Sequence, residues 1–169
     1  MLEFYIPLIV ALALGIEPER EGDLATLPPP EAAADQAVEA MPPFAPEPQV
    51  PTGKFTTAVE VKPILTATRA NWVVVRDWEG QDWVYFTHLL SWRCGLHEIR
   101  FGINGGPPEE VFEMEPCHEN TIQPNALISD LPIWRTFPPG SVQSIAVQIT
   151  YDDNTTDSHQ VTRAEILLP

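Results

Sequence analysis

Apolar and polar residues alternate most regularly over residues 144–151, near the C-terminal end of the chain. Strict alternation is typical of a β-strand with one buried face, because successive side chains point to opposite sides of the sheet. The side chains predicted to point inward are those of Ile145, Val147, Ile149 and Tyr151. A polar turn at 152–155, rich in Asp and Asn, is followed by a returning segment at 158–166. The pattern therefore predicts a β-hairpin whose turn is exposed to solvent.

Five earlier segments also have the composition of strands, because they are rich in β-branched and aromatic residues or alternate in polarity. They are 59–65, 71–76, 83–90, 96–104 and 110–115. The first of them, with Val59, Val61, Ile64 and Leu65, also contains Pro63, so it is expected at a sheet edge or bend. None of these segments is interpreted as a helix.

About seven short strands separated by turns predict an all-β fold for residues 55–169. The architecture that we expect is a single antiparallel β-sandwich, with an immunoglobulin-like arrangement as the leading topology and a small barrel as the alternative. The two cysteines are too close in sequence for the inter-sheet bridge of antibody domains. The resemblance is therefore one of architecture, and the sequence assigns no family.

The cysteines, Cys94 and Cys117, flank a predicted hairpin. Asn104-Gly105 is a strong turn signal, and a hairpin centred on Gly105 and Gly106 places the two cysteines opposite each other. The sequence therefore predicts a structural disulfide. Zinc is the competing interpretation, with His97 and His118 as further ligands. It is disfavoured because adjacent residues of an extended strand point to opposite faces.

The N-terminal part of the chain differs in character from the rest. Residues 4–16 are apolar, too short to span a bilayer, and typical of the core of a secretory signal, so 1–16 is predicted to be a signal-like segment. Residues 17–54 contain nine prolines and eight acidic residues, which predicts a disordered, extended tether. We therefore expect an exported protein, periplasmic or extracellular, that either loses this segment or keeps it as an anchor.

The charge of the chain excludes one class of partner. With 9 Lys and Arg against 24 Asp and Glu, the formal net charge is -15. Nucleic acids are bound through clustered Lys and Arg, so no nucleic acid partner is expected. No membrane-spanning segment, metal or other cofactor is predicted either.

Five tryptophans are many for this length, and three of them are candidates for a binding surface: Trp78, Trp83 and Trp134. Tryptophan is enriched at the centres of protein interfaces, and its ring also stacks on sugars. For the sugar alternative, the carboxylates of Asp77, Glu79 and Asp82 would accept the hydroxyl groups. The alternative without a ligand places Trp72 and Trp92 in the core and Trp78 and Trp83 beside a turn.

No nucleophile with a neighbouring base and no phosphate-binding glycine loop is found, so the chain is not expected to be an enzyme. The hypothesis is a non-catalytic exported domain that binds a protein partner or acts as an accessory module. Its binding surfaces would be sheet edges, tryptophans or the long irregular stretch 116–140. A carbohydrate-binding module is the alternative, followed by a zinc-binding or hydrolytic protein.

Overall fold

The computed structural model describes residues 43–169, and the regular secondary structure of this part of the chain is mostly β-strand. The described residues form eight strands: β1 Val74–Trp78, β2 Gln81–Tyr85, β3 Leu96–Ile103, β4 Glu110–Phe112, β5 Trp134–Phe137, β6 Ser144–Tyr151, β7 Thr156–Thr162 and β8 Leu167–Leu168. The three α-helices are α1 Ala58–Ala67, α2 Thr87–Leu90 and α3 Arg163–Ile166. The predicted all-β class is confirmed.

The strands form two four-stranded sheets. Sheet A has the order β5-β2-β1-β8, and sheet B has the order β4-β3-β6-β7. All neighbours are antiparallel except β1 and β8, which run parallel with Val75 opposite Leu167. Both sheets are therefore dominated by antiparallel pairing, as predicted.

One buried cluster collects apolar side chains from both sheets and from α1 and α2. Val75 and Val84 enter it from sheet A, while Ile99, Phe101 and Ile145 enter it from sheet B. Phe86, which directly follows β2, packs against sheet B: its ring centroid lies 5.1 Å from that of Phe101 and 4.3 Å from that of Phe112.

Both hairpins of sheet B follow their local sequence signals. In β6 the four predicted inward residues are all buried, and β7 returns antiparallel to it. In the other hairpin, Asn104 and Gly105 both have positive φ, as a tight turn of this kind requires. Ile99 pairs with Phe112 and Arg100 with Val111, which is the predicted register.

The strand predicted for 59–65 is wrong, because these residues lie in α1. Ala58, Val61 and Leu65 are the buried positions of this helix, a spacing that repeats with the helical turn. Pro63 lies inside the helix on its exposed side. The first turn is capped by the Asp152 carboxylate, whose Oδ1 accepts a hydrogen bond from the Ala58 N–H at 2.8 Å. This cap comes from the β6–β7 turn.

Three other predictions need correction. The segment 83–90 ends its strand at Tyr85 and continues as α2. The irregular stretch 116–140 contains β5, which pairs with β2 at the edge of sheet A. The turn at 152–155 is not wholly exposed to solvent, because Asp152 is 1% exposed.

Residues 43–54, which the sequence analysis assigns to the tether, contact the folded region. The Glu47 N–H donates a hydrogen bond to the Asp152 carbonyl at 2.8 Å, and Asn154 Nδ2 donates one to the Phe44 carbonyl at 2.8 Å. The Phe44 ring stacks on that of His97, with 4.8 Å between centroids. The signal-like segment 1–16 and tether residues 17–42 lie outside the described residues.

Candidate functional site

Sheet A carries four aromatic side chains on the side that faces away from the core. Successive side chains of a strand point to opposite sides of the sheet, so alternate residues of β1 and of β2 share one side. The pairs of Arg76 with Trp83 and of Tyr85 with Trp134 bring the four aromatic side chains to the same side. We call this surface the aromatic face, and it consists of Trp78, Trp83, Tyr85 and Trp134. All three candidate tryptophans therefore lie on one surface.

The rings of the aromatic face contact one another. The centroids of Trp83 and Trp134 are 5.3 Å apart, and Tyr85 lies 6.3 Å from each of them. These are distances at which aromatic pairs attract each other. Trp78 is joined to the group through its carbonyl, which accepts a hydrogen bond from the Trp83 indole N–H at 3.1 Å. The face is thus organised before any ligand arrives.

None of the four aromatic residues is buried, and Trp78 is the most accessible, with 48% of its surface exposed. The Arg76 guanidinium lies 4.5 Å from the centre of the Trp78 ring. Leu168 of β8 pairs with Arg76, so it extends the apolar surface toward the other edge of the sheet. Such a surface can bury aromatic area against a partner and offers a planar cation beside it.

The carboxylates near the aromatic face differ in what they can do. Asp77 and Glu79 are exposed, but Asp82 is 0% exposed and points toward the core side. Its oxygens accept hydrogen bonds from Arg163 at 2.7 and 2.8 Å and from the N–H groups of Gly140 and Val142. Burial alone would raise the pKa of Asp82, but these hydrogen bonds outweigh it and lower the pKa. Asp82 is therefore not accessible to a sugar hydroxyl.

The second candidate surface is the disulfide-anchored loop, residues 116–133, which belongs to the irregular stretch that the sequence analysis singled out. Cys94 and Cys117 form a disulfide with their Cα atoms 4.9 Å apart, as predicted. The bond joins the start of the loop to the short 3-10 turn Arg93–Gly95 that precedes β3. Both thiols are used, so the four-ligand zinc set with His97 and His118 is not formed.

Arg93 holds the disulfide-anchored loop from inside. This buried side chain donates hydrogen bonds to the carbonyls of Glu115, Pro116, Asn125 and Ala126 at 2.7, 3.1, 2.6 and 3.0 Å. A guanidinium has five N–H donors in a rigid plane, so it can bind several carbonyls at once. Burial lowers the pKa of Arg93, with the neighbouring Glu115 acting in the opposite direction.

Glu115 is the second internal anchor of the loop. Its buried carboxylate accepts hydrogen bonds from the Ile128 N–H at 3.1 Å and from His118 Nε2 at 2.7 Å. Burial would raise the pKa of Glu115, but the hydrogen bonds from His118, Ser129 and Ile128 lower it to about 2. The carboxylate therefore fastens both ends of the loop while it stays ionised.

The remaining histidines and metal-ligand types form no further site among residues 43–169. In this part of the chain, no group of three His, Cys, Asp or Glu side chains is arranged to hold a metal ion. His88 lies in α2 with its Nε2 2.7 Å from the Thr68 hydroxyl, and burial lowers its pKa. No helix between residues 43 and 169 has the length and apolar character needed to cross a bilayer.

Tyr85 of the aromatic face and the adjoining Leu168 are not among the binding residues predicted from the sequence. Tyr85 could have been found from the alternation of Trp83 and Tyr85 along one strand. Leu168 carries no such signal, because its place depends on the parallel pairing of β8 with β1. Trp72 is buried and Trp92 packs against the core, while Trp78 flanks the β1–β2 turn, as the alternative without a ligand predicted.

Comparison with known proteins adds no assignment: the chain matches no protein-family model, no curated protein and no solved structure.

Proposed function

We propose that this chain is a non-catalytic, exported β-sandwich domain that binds a protein partner through its aromatic face. The observation that carries the proposal is that Trp78, Trp83, Tyr85 and Trp134 lie together, unburied, on one side of sheet A. Trp and Tyr dominate the energetic centres of protein interfaces, because they bury much area while losing little conformational freedom.

The sandwich is supported by the core. Inward-facing residues of both sheets belong to a single buried cluster, and Phe86 contacts aromatic rings of sheet B. Two sheets that share one apolar layer are what a sandwich requires. The immunoglobulin-like arrangement of the strands remains a prediction.

Export is supported by the disulfide between Cys94 and Cys117, since such bonds persist in oxidising compartments. Intact mass of the protein from its native host, alkylated without reduction, tests this part. Blocked thiols and a mass lower by about 13 N-terminal residues would support cleavage and export. A full-length mass with two alkylated cysteines would contradict it.

The binding proposal is tested by cross-linking in the native host, followed by mass spectrometry of the recovered partners. We expect one protein to be recovered with the wild-type chain and at least about tenfold less of it with Trp78→Ala plus Trp83→Ala. The matched control is Val111→Ala, an exposed apolar residue of sheet B, which should leave recovery unchanged. Equal recovery with all three proteins would contradict the proposal.

Carbohydrate binding by the same face is the second candidate, and one observation favours it: Glu79 is exposed directly after Trp78, in the β1–β2 turn. An accessible carboxylate next to a ring is suited to sugar hydroxyls, whereas Asp77 pairs with Asp82 and shares its side of the sheet. A glycan array distinguishes the two candidates. A signal lost in Trp78→Ala plus Trp83→Ala would favour the sugar, whereas no signal with the wild-type chain would remove this candidate.

A further inference from the structure

Two isoleucines of the disulfide-anchored loop are among the most exposed apolar residues of the described chain. Ile122 is 92% exposed and Ile128 is 72% exposed. Both line a surface concavity of about 390 Å³, whose wall also includes Ala126 and Thr121. Isolated exposed apolar residues are common, but two of them bordering one concavity form a surface into which an apolar side chain can insert.

This surface is held in one shape by interactions beneath it. Arg93 binds the carbonyls of Asn125 and Ala126, and the Glu115 carboxylate binds the N–H of Ile128. The Asn125 side chain accepts a hydrogen bond from the Cys94 N–H at 2.9 Å and donates one to the Phe55 carbonyl at 3.0 Å. A surface that is ordered in advance loses little conformational entropy when it binds.

The charges around the surface are mostly negative. The sequence has no Lys or Arg between residues 101 and 134. Exposed carboxylates of Glu113, Glu119 and Asp130 lie in or beside the loop, against the exposed ammonium of Lys54, which donates a hydrogen bond to the Thr121 carbonyl at 3.2 Å. The buried charges of Arg93 and Glu115 offset each other. A complementary partner therefore carries positive charge around its apolar anchor.

We propose that the disulfide-anchored loop is a protein-docking surface for a polypeptide segment that presents aliphatic side chains flanked by Lys or Arg. The aliphatic side chain enters the concavity between Ile122 and Ile128, and the flanking cations face Glu119 and Asp130. This surface is distinct from the aromatic face, and its proposal does not depend on the function assigned to that face.

The probe is a pair of fluorescein-labelled peptides with the same Leu and Val positions, one with Lys and one with Glu at every polar position. Fluorescence anisotropy is measured with the full chain and its disulfide intact. We expect the Lys peptide to bind at least tenfold more tightly than the Glu peptide. Ile122→Ser plus Ile128→Ser should weaken binding of the Lys peptide at least tenfold, and Glu119→Gln plus Asp130→Asn should weaken it less and reduce its salt dependence.

Two control proteins make the result specific. Val50→Ser plus Val111→Ser removes two exposed valines elsewhere and should bind the Lys peptide like the wild-type chain. Trp78→Ala plus Trp83→Ala should also bind normally, so failure of this proposal is distinguishable from failure of the proposed function.

Several outcomes overturn the proposal. They are no binding of the Lys peptide, equal binding after the isoleucines are replaced, or loss of binding only in the tryptophan variant. Dimerisation in sedimentation velocity that disappears with Ile122→Ser plus Ile128→Ser would assign the surface to a second copy of the chain. Flotation with phosphatidylcholine vesicles that depends on the same residues would assign it to a lipid surface.

Discussion

Arg163 donates two hydrogen bonds to the fully buried carboxylate of Asp82, at 2.7 and 2.8 Å, and thereby joins β2 to α3 near the end of the chain. The same guanidinium also donates to the Val142 carbonyl at 2.9 Å. A buried carboxylate is tolerated only when its oxygens are bound by donors, and Asp82 meets this requirement with Arg163 and two backbone N–H groups.

Replacement of Arg163 by Met should lower the free energy of unfolding by about 3 kcal/mol, because it leaves the Asp82 charge buried without its counter-ion. Urea denaturation followed by circular dichroism measures this loss. The matched control is Arg100→Met, which breaks a partly exposed pair with Glu98 and should have a smaller effect, because water still reaches the charges. Similar losses in the two variants would contradict the importance given to the buried pair.

Removal of the disulfide by Cys94→Ser plus Cys117→Ser should destabilise the protein by about 3 kcal/mol. The bond closes a loop between residues 23 positions apart, and its loss restores the conformational freedom of the unfolded chain. Urea denaturation of the variant and of the reduced wild-type protein should give the same midpoint. If reduction leaves the urea midpoint of the wild-type protein unchanged, the disulfide does not contribute the expected stability.

The contributions of the neighbouring residues Asp152 and Asp153 to the free energy of unfolding should change with pH in opposite directions. Burial raises the pKa of Asp152, and this effect exceeds that of the hydrogen bonds from Gln49 and Ala58. For Asp153, hydrogen bonds from Lys62 and Thr155 outweigh burial and lower the pKa.

A raised pKa means that the folded state favours the protonated form of Asp152. Its contribution to stability is therefore fully present below the ordinary value of 3.8 and is lost as the pH rises through the folded-state pKa. Asp152→Asn keeps an acceptor for the Ala58 N–H without the charge, so it should be at least as stable as wild type at pH 7. Asp152→Ala should be less stable by about 1 to 2 kcal/mol, because the cap is lost.

Asp153→Asn is the control. Because the pKa of Asp153 is lowered, its ionised form stabilises the folded state above the unfolded-state pKa, and this contribution is lost as the pH falls. Asp153→Asn should therefore destabilise the protein at pH 7. Urea denaturation at pH 4, 5.5 and 7 measures all three variants. Besides Asp153, the titratable groups that interact electrostatically with Asp152 include Glu47 and His97, and both remain in every variant. A loss of stability in Asp152→Asn as large as in Asp152→Ala would contradict the prediction.

The hydrogen bond from the Ile128 N–H to Glu115 should persist far into acid. The pKa of Glu115 is about 2 instead of its ordinary 4.5, so the stabilising interaction is present above pH 4.5 and is lost as the pH falls through about 2. The Ile128 amide resonance, followed by NMR, should titrate with a midpoint near pH 2, and this transition should be absent in Glu115→Gln. A midpoint near 4.5 would mean that the carboxylate does not hold the loop.

The disulfide and the β3–β4 pairing could be predicted because their determinants are local. Asn104 and Gly105 adopt the positive φ that their residue types favour, and the register of a hairpin follows from its turn. The same turn that pairs Ile99 with Phe112 also brings Cys94 opposite Cys117.

The helix α1 could not be predicted in the same way. Its β-branched residues, Val59, Val61 and Ile64, and its internal Pro63 disfavour a helix locally. Its first turn is capped by Asp152, which lies 94 residues away in sequence. The contact between Trp83 and Trp134 could not be predicted either, because it depends on the pairing of β2 with β5, which are far apart in sequence.

The parallel pairing of β8 with β1 makes the completion of sheet A depend on a contact between residues far apart in sequence. Val75 and Arg76 pair with Leu167 and Leu168, so β1 has one unpaired edge until these distant residues reach it. Contacts between residues so distant in sequence form slowly, because a long loop must first be closed. The completion of sheet A is therefore expected late in folding, and until then the protein carries an open strand edge that a chaperone can protect.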